Sequence, residues 1–439
     1  MKEAIAYIIR FMLGEHVPDE VARMVGYTSD ASAFKDYRVV IIPSRFFDQD
    51  KFKRSVSLPL TPLREMEGLP VLYGDPVVER VGDTVVVHAD FVAGAYFLLT
   101  RYEETQYPER IYPEMWDEHG RFSGYGSLPR RERFIDRPVV DEYGKLLRRW
   151  LNGSGVHIPE PAPSIGQVNL THDVDVPFFG RSWRSVARRA LAGGNPVEAI
   201  RGKYSPLDRD PYYTFPWMFE RNRQLQLAAG ESRSAALVFF RAGGRDRRDR
   251  PHYSLRNKDI GALHELCGMY GVKIGLHSSY QAGKDPSLIL SEKRRLEQAF
   301  GVEIRHNRHH YLASRKPEDM EYLEKAGITD DYTMGYAGHA GFRLGTARPV
   351  RFINPVTCRV SGLTLHPLTV MDSTLYDRRY MNLTADRAEE YCLELFRRVR
   401  DVNGELTLLW HNTSAVKGQE GYARDLYARL TERIADYLG

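Results

Sequence analysis

Two carboxylates and an imidazole stand at the end of a short apolar run, in the segment Gln167-Val168-Asn169-Leu170-Thr171-His172-Asp173-Val174-Asp175. Val168 and Leu170 predict a buried β-strand, because apolar residues there alternate with polar ones. Charged side chains are rarely tolerated beside such a strand without a partner or a metal. Asp173 and Asp175 lie two residues apart, so in extended backbone they point the same way and either repel or share a cation. The segment therefore predicts a metal-dependent hydrolytic site.

Three further predicted strands also finish in chemically reactive residues. His277 follows the strand 272–276, residues 332–343 follow the fifth strand, and His411 follows the strand 406–410. If these strands run parallel, their ends meet at one mouth, as in α/β barrels, and can converge on a metal and a substrate. Oxygen and imidazole ligands suit zinc or a similar divalent ion with an open position for water.

The source of a third metal ligand is the histidine-rich stretch Arg305-His306-Asn307-Arg308-His309-His310-Tyr311. A hydrated basic loop is the alternative interpretation, and spacing alone does not choose among the three histidines.

Short apolar strands alternate with helical segments after residue 160, which predicts a parallel sheet with covering helices. Strands are predicted at 167–172, 235–240, 272–277, 302–306, 331–336, 362–366 and 406–410, and helices at 213–229, 259–270, 291–300, 317–326, 386–402 and 421–438. The position of the polar residues favours a barrel over a doubly wound sheet. The predicted fold class is α/β, with a distorted (β/α) barrel of about seven strands over residues 161–439.

Residues 1–160 show a different pattern of predicted strands and helices, which indicates a smaller α+β domain. They combine extended segments at 37–42 and 84–88 with a helix near 91–103, and they open with an amphipathic helix that ends at Gly14. The proline-rich stretch 159–163 predicts a linker to the barrel. No pattern in this half indicates chemistry.

The composition of the chain argues against a membrane-spanning or secreted protein. The chain has 439 residues, 42% of them hydrophobic, and it lacks a run of eighteen apolar residues, so no transmembrane segment is expected. Glu3 and Arg10 interrupt the N-terminal apolar run, which argues against a secretory signal. The three cysteines, Cys267, Cys358 and Cys392, are widely separated, which predicts a reducing, cytoplasmic location.

Positive charge is concentrated in the C-terminal part, where residues 161–439 carry 41 Lys and Arg against 33 Asp and Glu. The basic stretches are 181–203 and Arg241–Arg250, and the second predicts contact with an anionic ligand: a phosphate, an anionic glycan or a membrane surface. A solvated loop partly neutralised by Asp246 and Asp249 is the alternative. Nucleic acid is not an expected partner, because no nucleic-acid-binding motif accompanies the charge.

In this order, these residues resemble the motifs of the NodB-type polysaccharide deacetylases, carbohydrate esterase family 4, over about residues 165–439. The first family motif pairs a catalytic base with a metal-binding aspartate, which match Asp173 and Asp175. The second supplies a histidine ligand, His277 in Gly275-Leu276-His277-Ser278-Ser279-Tyr280, and the last ends a leucine-rich strand in a histidine, His411. The N-terminal part resembles the accessory domain of a divergent bacterial subgroup.

One departure concerns the metal ligands. The family usually has a second histidine four residues after the first, where this chain has Gln281. Divergent members carry an Arg-x-His-Tyr-Leu segment, similar to residues 308–312, so the resemblance implies His310 as third ligand, with His309 or His306 as alternatives. It also implies that Arg343 orients the base.

The resemblance implies a metal-dependent hydrolase that removes an N-acetyl group from an amino sugar or glycan precursor. Asp175, His277 and His310 would hold the metal, expected to be zinc, while Asp173 would act as base and His411 as general acid. The alternatives are an inactive glycan-binding protein on the same fold, a hydrolase of another amide or ester, and a chain that works mainly through a partner-binding N-terminal domain.

Overall fold

The computed structural model describes residues 1–181, 183–418 and 421–438. The helices and strands of the N-terminal part, in chain order, are α1 Lys2–Leu13, α2 Asp19–Ala22, β1 Val25–Tyr27, β2 Val39–Ile41, β3 Arg64–Met66, β4 Leu69–Val71, β5 Gly74–Val81, β6 Thr84–Ala89, α3 Phe91–Leu99, α4 Tyr102–Gln106, α5 Leu128–Arg131 and α6 Val139–Gly153. The order β1-β2-β6-β5 forms a four-stranded sheet, and β3 and β4 pair separately.

The elements that follow residue 160 are β7 Gln167–Val174, α7 Trp183–Leu191, α8 Pro196–Tyr204, α9 Phe215–Ala229, β8 Ser234–Phe240, α10 Lys258–Met269, β9 Lys273–Ser278, α11 Ile289–Phe300, β10 His306–His309, α12 Glu321–Lys325, β11 Asp330–Met334, β12 Val350–Ile353, β13 Val360–Pro367, β14 Val370–Met371, α13 Asp372–Tyr376, α14 Ala385–Asp401, β15 Glu405–Leu409 and α15 Ala423–Ile434.

One nine-stranded sheet organises this C-terminal part, in the order β12-β13-β11-β10-β9-β8-β7-β15-β14. Neighbouring strands from β13 to β14 in this order are parallel, and only β12 runs antiparallel. Leu368 and Thr369 alone separate β13 from β14 in the chain, although the two strands lie near opposite ends of the order. The sheet therefore curls until its two ends approach.

The structure confirms a mixed α/β architecture, but the prediction of about seven strands is too low. Strands β12 and β14 are missing from the predicted set, because β14 has two residues and β12 pairs only as the antiparallel neighbour of β13. The strand expected at 302–306 begins only at His306. The residues before it form a loop, in which the amide of Ile304 donates a hydrogen bond to Glu297 and not to a neighbouring strand.

The helices pack on the sheet through apolar stripes. In α14 the buried residues recur at the 3.6-residue period, and they are Ala388, Cys392, Leu395, Phe396 and Val399. In β7 every residue after Gln167 is buried, so this strand is covered on both faces and its charged end is enclosed. Within the described residues, no helix is both long enough and apolar enough to cross a bilayer.

The N-terminal part packs against the C-terminal part through buried polar contacts as well as apolar ones. Asp141 of α6 accepts hydrogen bonds from Thr346 and from the amide of Ala347, and it pairs with Arg348 at 2.7 Å. The hydroxyl of Tyr96 donates to the carbonyl of Pro355 at 3.0 Å. These contacts hold the segment 340–355, which follows β11, against α3 and α6.

A partly buried charge cluster lies at the amino end of the sheet, around His366. The imidazole donates to Glu405 at 2.8 Å and to Asp330 at 3.0 Å, and it stacks on Tyr332 with ring centroids 4.3 Å apart. Burial would lower the pKa of His366, but the two carboxylates raise it to about 10. The imidazolium thus links β13 to β11 and β15.

We expect this cluster to make stability depend on pH. The folded-state pKa of His366 lies above the unfolded value of about 6.5, so its stabilisation is full below that pH and declines as pH rises towards about 10. His366→Gln should lower the free energy of unfolding at pH 6 by about 3 kcal/mol, and the loss should shrink at pH 10. Urea unfolding at both pH values measures this, with the exposed His157→Gln as control. An equal loss at both values would contradict the linkage.

Candidate metal centre

The carboxyl ends of four strands deliver reactive side chains to one place. Asp173 lies in β7 and Asp175 directly follows it, His277 lies in β9, and His411 follows β15. His310 follows β10 at the start of a 3₁₀ turn. The parallel pairing of these strands explains the convergence, because it puts their carboxyl ends at the same edge of the sheet.

Asp175, His277 and His310 present one ligand atom each within 4.8 Å of one another. His277 Nε2 lies 3.2 Å and His310 Nε2 lies 3.3 Å from the same oxygen, Asp175 Oδ1. Both Asp175 Oδ1 and His277 Nε2 are buried without a hydrogen-bond partner. A carboxylate oxygen facing two imidazole nitrogens in a dry setting fits a divalent ion such as zinc, and three protein ligands leave a position for water.

The outer nitrogens of both imidazoles are engaged, which orients the inner ones. His277 Nδ1 donates to the carbonyl of Arg308 at 2.9 Å, and His310 Nδ1 donates to Asp249 Oδ1 at 3.0 Å. These bonds place the protons on Nδ1 and leave the Nε2 lone pairs for a metal. Burial lowers the pKa of His310, which also favours the neutral ligand form.

Asp249 explains how the site manages without a histidine at position 281. This fully buried carboxylate also accepts hydrogen bonds from the amides of Tyr280 and Gln281, at 2.7 and 3.2 Å. Gln281 itself turns away and accepts from the amide of Arg245. Gly244 passes close by, where a Cβ would lie 2.3 Å from the Asp249 carboxylate. In the sequence Asp249 is one acid within a basic stretch, and nothing around it indicates a hydrogen bond to His310.

Electrostatics at the centre favour an ionised Asp175. Burial would raise its pKa, but the imidazoles of His310, His277 and His411 lower it well below the usual value. The second carboxylate, Asp173, is buried beside it, with Oδ2 at 3.6 Å from His277 Nε2.

The arginine beside Asp173 is Arg308, and the expected contact of Arg343 is not made. Arg308 is completely buried and donates through Nη1 to Asp173 Oδ1 at 3.1 Å and to Thr171 at 2.8 Å. Its guanidinium also lies 4.7 Å over the ring of Phe239. Strand β10 carries Arg308 two positions before His310, so one short segment serves both carboxylates.

Arg343 has a structural environment instead. It donates through Nη2 to Glu104 Oε1 at 2.8 Å and through Nη1 to the carbonyl of Gly335 at 3.0 Å. Glu104 of α4 is buried, and its carboxylate draws the guanidinium away from the centre. Arg343 therefore joins the two parts of the chain.

His411 reaches the centre from the opposite side to His310. Its Nε2 lies 3.6 Å from Asp175 Oδ2, and its Nδ1 donates to Asp372 Oδ1 at 2.8 Å. The backbone amide of His411 donates to the other oxygen of the same carboxylate. Burial would lower the pKa of His411, but Asp372 above all raises it to about 10. Asp372 was not anticipated from the sequence, where it has no motif around it.

The alternative histidines point elsewhere. His309 Nδ1 lies 3.3 Å from Thr333 Oγ1, and His306 Nδ1 lies 3.7 Å from Asp330 at the amino end of the sheet. His172 is buried, where it donates to the carbonyl of Trp410. Asp331 accepts from Asn307 and from Thr333, away from the imidazoles of the centre.

The basic segment Arg241–Arg250 forms a wall beside the centre and is less exposed than expected. Arg241 is buried and donates to the carbonyl of Asp175 at 2.9 Å. Arg248 lies 4.9 Å over the ring of Tyr280, and Asp246 pairs with Lys284 at 2.7 Å. Contact of this wall with an anionic ligand stays a prediction.

Comparison with known proteins assigns little of the chain. Residues 3–155 match the model of DUF7033, a family of unknown function. No curated protein matches the sequence.

Three solved structures show weak likeness. A presumed polysaccharide deacetylase from Mycobacterium smegmatis is 15% identical, over 64% of this chain and 92% of that one, with a TM-score of 0.38. A presumed polysaccharide deacetylase of O-antigen biosynthesis from Bordetella bronchiseptica is 14% identical, over 63% and 85%, with a TM-score of 0.27. A mutant of a CE4-family pseudoenzyme is 11% identical, over 65% and 73%, with a TM-score of 0.29. Such low scores do not assign the chain to a family.

We expect purified protein to bind one divalent ion, and to lose it when a ligand is removed. Asp175→Ala and His310→Ala should abolish zinc retention after dialysis, and Asp249→Ala should weaken zinc affinity by about 10- to 100-fold, because it frees the His310 ring. Metal analysis and competition with a chromophoric chelator measure both. His306→Ala is the matched control and should retain zinc. Equal zinc in wild type and His310→Ala would remove His310 from the ligand set.

Proposed function

We propose that this chain is a metal-dependent hydrolase that removes an N-acetyl group from an amino sugar or glycan precursor. The observation that carries the proposal is that a carboxylate and an imidazolium, each fixed by its own partner, lie beside the same ligand cluster. Asp173 is fixed by Arg308, and His411 is fixed by Asp372. A protein that only binds a ligand needs neither a base nor an acid at such a cluster.

Zinc or a similar ion held by Asp175, His277 and His310 would supply Lewis-acid polarisation of a carbonyl and a water molecule of lowered pKa. Asp173 is placed to act as the base that takes a proton from the attacking water. Its Oδ1 is taken by Arg308, so Oδ2, which faces the ligand cluster 3.6 Å from His277 Nε2, is the oxygen that receives the proton.

His411 has the properties of a general acid. Its pKa of about 10 keeps the ring protonated at neutral pH, and Nε2 points into the centre while Asp372 holds Nδ1. As the carbon–nitrogen bond breaks, the proton on Nε2 passes to the leaving amine. Asp372 stabilises the imidazolium before this transfer and fixes the orientation of the ring, which makes it a positioning residue.

We further propose that residues 161–439 are the catalytic domain and that residues 1–160 are an accessory domain. The match of residues 3–155 to a single family model supports this boundary. So does the separate four-stranded sheet of that part.

Asp173→Asn should lower the rate of acetate release from N-acetylated amino sugars by about 100-fold or more, because the amide cannot accept the proton. Zinc content should be unchanged, since Asp173 is not a ligand in the proposed set. Acetate release is followed with a coupled assay over a panel of free, nucleotide-linked and lipid-linked N-acetyl sugars. Acetate release at the wild-type rate by Asp173→Asn would exclude Asp173 as the base. A wild type that holds zinc but releases no acetate from any substrate would favour the glycan-binding alternative.

The two arginines provide a matched pair. Arg308→Lys keeps a positive charge but loses the fork that reaches both Asp173 and Thr171, so kcat should fall by about 10-fold or more with zinc retained. Arg343→Lys, in an equally buried ion pair with Glu104, should lower the melting temperature but leave kcat unchanged. If Arg343→Lys lowered kcat as much as Arg308→Lys does, the assignment of Arg308 to the base would be wrong.

A further inference from the structure

Two short helices after β7 carry an unusual amount of exposed apolar surface. Trp183 and Leu191 of α7 are 60% and 89% exposed, and Val197, Ile200 and Tyr204 of α8 are 64%, 41% and 63% exposed. Apolar side chains gathered in this way mark an interaction surface, whereas single exposed ones do not. Residues 183–204 are called the helical hairpin below.

The exposed apolar residues share one face of the hairpin. Val197, Ile200 and Tyr204 are spaced by three and four residues, so they form one stripe along α8. The Tyr204 ring contacts the Trp183 ring, with centroids 6.2 Å apart. Lys203 Nζ lies 4.8 Å over Trp183 and 4.1 Å over Tyr204. The stripe therefore continues from one helix to the other and has a cation beside it.

The charge of the hairpin is almost entirely positive. Residues 183–204 contain five basic residues and one acid, Glu198. Arg188 and Arg201 are exposed, and Lys203 is half-buried against the two aromatic rings. Arg181, at the base, is an anchor instead: it pairs with Asp259 at 2.9 Å and donates to the carbonyl of Ser205.

We propose that the helical hairpin binds the surface of an anionic lipid bilayer, with its apolar stripe among the acyl chains and its cations at the headgroups. Basic amphipathic helices with tryptophan on the apolar side lie at such interfaces, and anionic lipids attract clusters of Lys and Arg. Tyrosine and tryptophan also favour the interfacial zone.

Charge favours a lipid surface over a second copy of the chain. In a two-fold dimer the same patch meets itself, so the hairpin's excess of four positive charges would face an equal excess across the contact. An anionic surface instead neutralises those charges.

The hairpin follows β7 and the candidate ligand Asp175, with seven residues between Asp175 and Trp183. Membrane binding does not depend on the proposed function. If both hold, the substrate is a glycan presented at a membrane surface, such as a lipid-linked precursor.

Co-sedimentation of the full-length protein with vesicles tests the proposal. Binding should be strong to phosphatidylcholine vesicles that contain phosphatidylglycerol, weak to pure phosphatidylcholine, and reduced by added salt. Arg201→Gln with Lys203→Gln should weaken binding by roughly 30-fold, at about fivefold for each cation. Val197→Ser with Ile200→Ser should weaken it by about tenfold or more. Leu227→Ser, at a residue 68% exposed in α9, is the matched control and should bind as wild type does.

Fluorescence provides a second measurement that does not rely on partitioning. Wild-type emission should shift to the blue on addition of anionic vesicles, and the shift should be lost in Trp183→Phe. Two outcomes would overturn the proposal. One is equal binding to both vesicle types by wild type and all variants, or none at all. The other is a wild type that dimerises while Val197→Ser with Ile200→Ser is monomeric, which would make the face a contact between copies.

Discussion

The candidate centre depends on one enclosed carboxylate oxygen. Asp175 Oδ1 lies between two imidazole nitrogens and has no hydrogen-bond donor, although burial makes an unsatisfied charge costly. The surrounding bonds sustain this arrangement, because the outer nitrogens of His277 and His310 already donate to other acceptors. Neither ring can then also offer an Nε2 proton while neutral. A cation that accepts one lone pair each from Asp175 Oδ1, His277 Nε2 and His310 Nε2 supplies the partner that these atoms lack.

Much of the site was predictable because the end of a buried strand has a recognisable sequence pattern. An apolar run followed by a charged residue indicated Asp173, Asp175, His277 and His411, and parallel pairing supplied their convergence. The fold was predictable to the same extent: strands with an apolar period were found, whereas the two-residue β14 and the antiparallel β12 had no such signal. Arginine partners were not predictable, because a guanidinium reaches far from its own position. Arg308 and Arg343 are both buried and both paired with acids, and only the three-dimensional path decides which acid each one meets.

The N-terminal part also contributes to the surroundings of the centre. Arg121 donates through Nη1 to the carbonyl of Tyr311, the residue after His310, at 2.6 Å. The carbonyl of His119 accepts from the hydroxyl of Tyr280 and from Arg315. Tyr311 has a positive φ of 61°, so its backbone conformation is a strained one for a bulky residue. The hydrogen bond from Arg121 helps to hold that turn, and the turn sets the position of His310. The N-terminal part therefore braces the turn that positions His310.

The amino and carboxyl ends of the strands in the curled sheet carry the same residue types, histidines and acids, in different arrangements. At the amino end, His366 lies between Asp330 and Glu405 and donates to both, so each ring nitrogen has an acceptor. At the carboxyl end, the Nε2 lone pairs of His277 and His310 face Asp175 Oδ1, so only acceptors meet there. The difference lies in how the carboxylate oxygens are shared. His366 has a separate carboxylate for each nitrogen, whereas the inner nitrogens of His277 and His310 both face the single oxygen Asp175 Oδ1. Imidazole–carboxylate proximity in a sequence therefore says little about chemistry until the second partner of each ring is known.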